Sequence, residues 1–296
     1  MKILNFGSLN IDNVYSVSHF VRAGETLAST SLNHYPGGKG LNQSVAFAKA
    51  GAKVFHAGLI GTDGKMLSDL LENSGVNVSF VRTLQNEVTG HAVIQVNADG
   101  ENCILLHGGA NQMVDDAFVN EVLSHFDKGD AIILQNEINN LDYIIKSAKK
   151  RGLVTVLNPS PFNEVITALD LSLIDYLIIN ETEGKELSGK TESEAIISTL
   201  QARYPALKIV LTLGKNGAIY VSGDERCFQP IIEAPVVDTT AAGDTFTGFF
   251  FTTLFEGAAP EKALLLATAA SSIAVSRAGA AVSIPTRAEV EAKICE

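Results

Sequence analysis

The chain has no tryptophan and only three cysteines, three methionines and eight prolines in 296 residues. Cys103, Cys227 and Cys295 are odd in number, far apart and without a Cys-x-x-Cys pair, so they support neither a disulfide framework nor a zinc site and fit a reducing cytoplasm. Positive charge is also scarce. Lysine and arginine number 22 against 33 acidic residues, a net charge of −11, and no basic run or stripe is present to follow a phosphate backbone, which argues against nucleic acid as a partner. Long apolar runs are missing too. Residues 246–275 are interrupted by Glu256, Gly257, Pro260, Glu261 and Lys262, short of the ~20 apolar residues of a membrane span, and are expected to form two buried helices. The opening Met1-Lys2-Ile3-Leu4-Asn5-Phe6-Gly7 turns polar by Ser8 and Asn10, too soon for a signal peptide's apolar region, and reads as a first core strand.

Several nucleotide and catalytic signatures fail as well. Gly64-Lys65 is followed by Met66, with Leu59 where the first P-loop glycine would stand, and Gly38-Lys39-Gly40 meets Gln43 where a dinucleotide fingerprint needs its third glycine. No His-Glu-x-x-His, nucleophile elbow or protein-kinase signature is found. A nucleotide, if one is used, must be held by another device.

What is present is a globular composition, 46% hydrophobic and 19% charged, without low-complexity linkers or short internal repeats, so one domain over 1–296 is expected. Short apolar runs at 3–8, 53–59, 131–135, 154–157, 176–179 and 208–213 alternate with helical spacing at 41–50, 65–74 and 141–151. That alternation predicts an α/β fold with a mostly parallel sheet covered on both faces. Two stretches break the rhythm: 24–35 has no helical stripe, and 88–107 reads as two runs joined by Asn97-Ala98-Asp99-Gly100-Glu101, a hairpin signal. They predict a small separate sheet, inserted as segments 13–36 and 86–109, which serves as a lid or dimer surface or is a plain edge hairpin.

The sharpest local constellation is Asp238-Thr239-Thr240-Ala241-Ala242-Gly243-Asp244-Thr245. Small residues lead into an apolar helix, so the amides around Ala242, Gly243 and Asp244 are free to converge on an anion. Asp244 beside such a hole either accepts a proton from a hydroxyl attacking phosphorus or merely complements the helix dipole. Tyr35-Pro36-Gly37-Gly38-Lys39-Gly40-Leu41-Asn42-Gln43 permits close backbone approach to a ligand, or is an ordinary glycine turn before a helix. Asn10 and Asp12 share a face of an extended segment and suit neighbouring sugar hydroxyls, or form an Asx turn. Glu137, after Gln135-Asn136, adds a carboxylate at the same sheet edge. Asn180-Glu181-Thr182-Glu183 either holds hydrated magnesium or starts a helix with a capping box, and Thr212-Leu213-Gly214-Lys215-Asn216-Gly217 either approaches phosphate and ribose or is a hairpin turn. The histidines, His91 included, show no ligand spacing.

In this order, and over essentially the whole chain, these strings resemble the ribokinase family, also called the phosphofructokinase B family of carbohydrate kinases. The resemblance rests most firmly on Gly37-Gly38-Lys39-Gly40-x-Asn42 and Asp238-Thr239-x-Ala241-Ala242-Gly243-Asp244-Thr245. It implies a three-layer sandwich with a β-sheet lid, and a kinase passing the γ-phosphoryl group of ATP to the primary hydroxyl of D-ribose, with another furanose (deoxyribose, fructose), a nucleoside, or a non-catalytic sugar-binding module as alternatives. It implies Asp244 as the base and Ala241, Ala242 and Gly243 as the anion hole. Asn10, Asp12, Gly38, Lys39, Gly40, Leu41, Asn42, Ala92, Ile94 and Glu137 would meet the sugar. Asn180, Thr212, Leu213, Gly214, Lys215, Asn216, Gly217 and Thr268, with Gly243 and Asp244, would meet the nucleotide. Glu183 would act indirectly on magnesium, and Asp238, Thr240, Ala274, Arg277, Gly279 and Ser283 would surround potassium. It further implies a cytoplasmic homodimer joined through the lid. Thr247, Thr268 and His91 depart from residues common in the family, at places that bear on sugar and nucleotide preference and not on phosphoryl transfer.

Overall fold

The computed structural model describes residues 1–295. Its strands are β1 (Ile3–Phe6), β2 (Asn10–Ser16), β3 (Ser31–Gly37), β4 (Val54–Gly61), β5 (Asn77–Leu84), β6 (Gly90–Val96), β7 (Asn102–His107), β8 (Ala131–Gln135), β9 (Val154–Asn158), β10 (Tyr176–Asn180), β11 (Lys208–Thr212), β12 (Ala218–Ser222) and β13 (Glu225–Gln229). Its α-helices are α1 (Lys39–Lys49), α2 (Lys65–Asn73), α3 (Asp116–Leu123), α4 (Leu141–Arg151), α5 (Glu164–Ala168), α6 (Glu181–Ser188), α7 (Ser193–Arg203), α8 (Ala242–Phe255), α9 (Pro260–Val275) and α10 (Arg287–Cys295).

The large sheet runs β13-β12-β11-β10-β9-β8-β1-β4-β5. All of its pairs from β11 to β5 are parallel, and only β12 and β13 add antiparallel strands at one edge. All six expected strands lie in it. Alternate residues of each strand feed two cores. Leu4 and Phe6 join Ile132 and Leu134 against α3 and α4, whereas Ile3, Ala131 and Ile133 face α1, α8 and α9. The expected pair of buried helices is present as α8 and α9, whose Phe249, Phe250, Leu264 and Ala267 are buried in the second core. Helices thus cover both faces of a parallel sheet.

The small sheet has the order β3-β2-β6-β7. Its β6–β7 hairpin turns at Asn97–Glu101, where Asn97 Oδ1 accepts the amides of Asp99 and Glu101 at 3.0 and 2.9 Å. One boundary differs from the expected lid. Pairing begins at Asn10 and not at residue 13, because β2 runs parallel to β6 from the Asn10–Gly90 register onward; residues 17–30 contribute no strand. The outer strands carry exposed Leu32, Tyr35, Ile104, Leu105 and Leu106. Among the described residues no helix is long and apolar enough to cross a membrane.

Candidate active site at the switch of strand order

β1 lies between β8 and β4, and chain order departs from it in both directions, so the crevice beyond the carboxyl ends of β1 and β8 is where such sheets place ligands. Glu137, just after β8, ties the crevice together. Its Oε2 accepts the Lys39 amide at 2.9 Å and the Ser8 hydroxyl, and Ser8 Oγ accepts the Gly40 amide at 3.1 Å. Asn10 Oδ1 accepts from Asn111 Nδ2 at 2.7 Å. In the small sheet Asp12 pairs with Ala92 and Val14 with Ile94, so Asn10, Asp12, Ala92 and Ile94 share one face. His91 lies on the other, its ring 5.0 Å from that of His107. Leu41 is the exception among the expected sugar residues: its side chain is wholly buried in the core under α1, where a helical apolar stripe places it.

Burial is the first influence on the charged groups of this corner. Burial, and then the field of Glu137, push the Asp12 carboxyl up to about 6. Burial likewise raises Glu137, against the opposing pull of Lys39 and the hydrogen bond from Ser8. Burial works against the charge of Lys39 too, but the fields of Asp244, Glu137 and Glu183 outweigh it and hold the ammonium above its ordinary value. An acidic protein thus keeps one positive group among its site carboxylates. Charge on Asp12 opposes folding: the opposition is absent below pH 4 and complete above about pH 6, the interval between its unfolded and folded values. Asp12→Asn is therefore expected to raise the melting temperature by about 2–4 °C at pH 8 and by little near pH 4, while weakening sugar binding by about tenfold or more. Melts and titrations at both pH values check this, and equal stabilisation at pH 4 and pH 8 would remove the electrostatic cause.

α8 begins at a strained residue. Ala241 has φ 59, the left-handed region that an alanine adopts only when its surroundings impose it. The turn it makes commits the Ala242 amide to the Thr239 carbonyl at 3.2 Å, so of the three amides expected to converge, that of Ala242 is taken. The amides of Gly243 and Asp244 have no protein acceptor among the described residues. Asp244 is buried, and its carboxylate accepts Nδ2 of Asn42 at 3.2 Å and Nε2 of Gln43 at 3.0 Å. What brings α1 to α8 is Gly248, where a Cβ would collide with Ala46 and the Phe47 amide. Asn42 Oδ1 is buried with no hydrogen-bond partner among the described residues.

Beside the start of α8 opens a cleft of about 430 Å³ lined by Asn180, Thr212, Gly214, Lys215, Gly217, Gly243 and Thr268, all expected nucleotide residues. Leu213 and Asn216 do not line it: Leu213 packs into the core, and both serve the turn, through Leu213 N to Gly217 O and Asn216 N to Leu213 O at 2.8 and 2.9 Å. This turn is also the hairpin between antiparallel β11 and β12. The lining also includes Ile231, Ile232, Ala234 and Val236, visible in the sequence only as an apolar run before α8. Asn180 and Glu183 do form a capping box, Asn180 Oδ1 accepting Glu183 N at 2.9 Å and Glu183 Oε2 accepting Asn180 N at 3.0 Å. Asp238 gathers the loop below: its oxygens accept the amides of Thr240 and Gly279 at 2.8 and 2.9 Å. The Ala274 carbonyl there accepts the Arg277 amide, Ser283 Oγ donates to the Ala280 carbonyl, and the Arg277 side chain turns away to Glu289.

A family model for pfkB carbohydrate kinases matches residues 1–287. The chain belongs to the pfkB family of carbohydrate kinases. It is accordingly a phosphotransferase acting on a sugar hydroxyl. This pfkB kinase is 36% identical over 293 residues to a ribokinase of Haemophilus influenzae, covering 96% of this chain and 95% of that one. It is 37% identical over 292 residues to a ribokinase of Bacillus subtilis, with 96% of each chain covered. A ribokinase of Arabidopsis thaliana complexed with ribose and ATP superposes with a TM-score of 0.87 at 32% identity, covering 99% of this chain and 98% of that one. The expected family and sandwich fold are therefore the observed ones.

Proposed function

We propose that this kinase transfers the γ-phosphoryl group of ATP to the primary hydroxyl of D-ribose, giving D-ribose 5-phosphate. The observation that carries the reading is the juxtaposition at the start of α8: a buried carboxylate, Asp244, beside the unpaired amides of Gly243 and Asp244. The sugar oxygen attacks the γ-phosphorus as its bond to the leaving ADP oxygen breaks, and the hydroxyl proton passes to Asp244. The two amides take up charge on the transferring group. Asn10, Asp12, Gly38, Lys39, Gly40, Asn42 and Glu137 bind the sugar, together with Ala92 and Ile94. The cleft of Thr212–Gly217 and Thr268 takes the nucleotide.

Two cations fit the residues present. Glu183, buried and locked in its capping box, is placed to act on magnesium through water, and bound magnesium neutralises phosphate charge. Asp238 is held ionised: burial would raise it, but the hydrogen bonds from Thr240 and Gly279 outweigh that and lower it. One carboxylate with the backbone carbonyls of Thr240, Ala274, Arg277, Gly279 and Ser283 is an oxygen donor set suited to potassium. The small sheet of β2, β3, β6 and β7 acts as the lid that excludes water. The exposed Leu32, Tyr35, Ile104, Leu105 and Leu106 on that sheet support a homodimer through it, and the reading places the enzyme in the cytoplasm.

A kcat/KM series over D-ribose, 2-deoxyribose, fructose and nucleosides tests the substrate. Ribose is expected to lead deoxyribose by about tenfold or more, since a site group left unpaired by the missing hydroxyl costs ~1–3 kcal/mol. The deoxyribokinase of Salmonella typhi, 30% identical over 297 residues, makes deoxyribose the sharpest competitor, and ribose ranking below it would overturn the assignment.

A further inference from the structure

Behind Asp244 lies a chain of wholly buried side-chain amides, Gln43, Gln135 and Asn5. Its polarity is set at one end. Asn5 Nδ2 donates to the Gly40 carbonyl at 2.8 Å, and a backbone carbonyl can only accept. Asn5 must therefore turn its Oδ1 to Gln135, whose Nε2 donates to it at 3.0 Å. The same Nε2 donates to Gln43 Oε1 at 2.6 Å. With its oxygen occupied, Gln43 has only its amino group left for Asp244, and donates to Oδ1 at 3.0 Å. The other carboxylate oxygen takes Asn42, so the group is fixed about its bond to the chain. Gly7 makes room for this arrangement, for a Cβ there would collide with Gln135 Oε1. Asn5 and Gln135 belong to different strands, β1 and β8, and both fall on the α1 side of the sheet among apolar neighbours. A buried polar group left unpaired is costly, and Gln135 Oε1 has no partner among the described residues, so Gln135 keeps this orientation at a cost, for the two bonds its Nε2 donates.

We propose that Gln43 and Gln135 are positioning residues for phosphoryl transfer, the working end of a relay Gly40–Asn5–Gln135–Gln43 that decides which end of the Gln43 amide meets Asp244. The relay ties the base to the glycine-rich turn that grips the sugar. A Gln43 turned end for end would set a carbonyl against the carboxylate and disfavour the ionised form needed to accept a proton. The proposal rests on the reading of Asp244 as the base.

The test measures kcat and KM against pH for Gln43→Met, Gln135→Met and the double variant, with Asp244→Asn alongside and thermal melts to confirm folding. The charged groups facing Asp244 are Lys39 and Glu137, and none of these variants alters them. Gln43→Met is expected to lower kcat about tenfold, to move the acid limb of the kcat profile to higher pH, and to leave sugar KM within about twofold. Gln135→Met is expected to act in the same direction with smaller amplitude, and the double variant to match Gln43→Met alone, since Gln135 works only through Gln43. Acid limbs that stay in place, or effects that multiply in the double variant, overturn the relay. If Gln43→Met does not fold, Gln135→Met decides alone: an unmoved acid limb sinks the proposal. Activity surviving in Asp244→Asn would instead sink the reading of the base, a distinguishable outcome.

Discussion

Asp244→Asn is expected to lower kcat by about a thousandfold, ~4 kcal/mol of barrier, with the sugar's dissociation constant changed by no more than about threefold. The substitution keeps the shape of the side chain and its place in the first turn of α8. It removes the ability to take a proton, and it sets an amino group where one of two donors, Asn42 Nδ2 or Gln43 Nε2, now meets an oxygen. Sugar binding survives because Asn10, Asp12, Lys39 and Glu137 stand on other elements. Single-turnover kinetics with a parallel binding titration separates the two effects. Activity within about tenfold of the parent, ~1.4 kcal/mol, would take Asp244 out of the chemical step.

Gly243→Ala should cost about a hundredfold in kcat with no loss of stability. A Cβ at Gly243 would touch nothing within 4 Å among the described residues. Its φ is not in the left-handed region, so alanine takes the same backbone and is the better helix former by ~1 kcal/mol. Nothing in the protein's own packing asks for glycine here. The space belongs to whatever approaches the free amides of Gly243 and Asp244, and a methyl group would stand in the path of a phosphoryl group. A variant with unchanged kcat would show that the phosphoryl group passes elsewhere, and a variant that melts early would show a packing role that the contacts do not reveal.

The parts of the fold legible in the sequence are those governed by local periodicity. β8 is apolar from Ala131 to Leu134 because both of its faces are covered, and α4 carries its stripe at Leu141, Ile144, Ile145 and Ala148. β5, β12 and β13 are absent from the expected strands: β5 and β13 lie at the two edges of the sheet, with mixed burial and, in β13, one buried residue, Cys227, so the continuous apolar signal is missing there, whereas β12 lies inside the edge and its buried Ala218–Val221 run did carry that signal. The site shows the same division. Asp238 to Asp244 and Gly37 to Asn42 stand out because both strings occur together, in one order, before helices. Leu41, Leu213 and Asn216 share those strings but face the core or close a turn, a distinction set by side-chain direction that a motif does not carry.

Residue types and their order determined the family, the alternation of strand and helix, and the candidate for the base, since each depends on neighbours close along the chain. Tertiary structure alone decided which amides at the start of α8 are free, which apolar residues join the lining of the cleft beside it, and that Asn5, Gln43 and Gln135 stand in line behind Asp244. Asn5 and Gln135 are separated by 130 residues and Gln43 and Asp244 by 201, and hydrogen bonds of a few ångströms between such positions follow from strand order and helix packing, for which a one-dimensional pattern holds no distance.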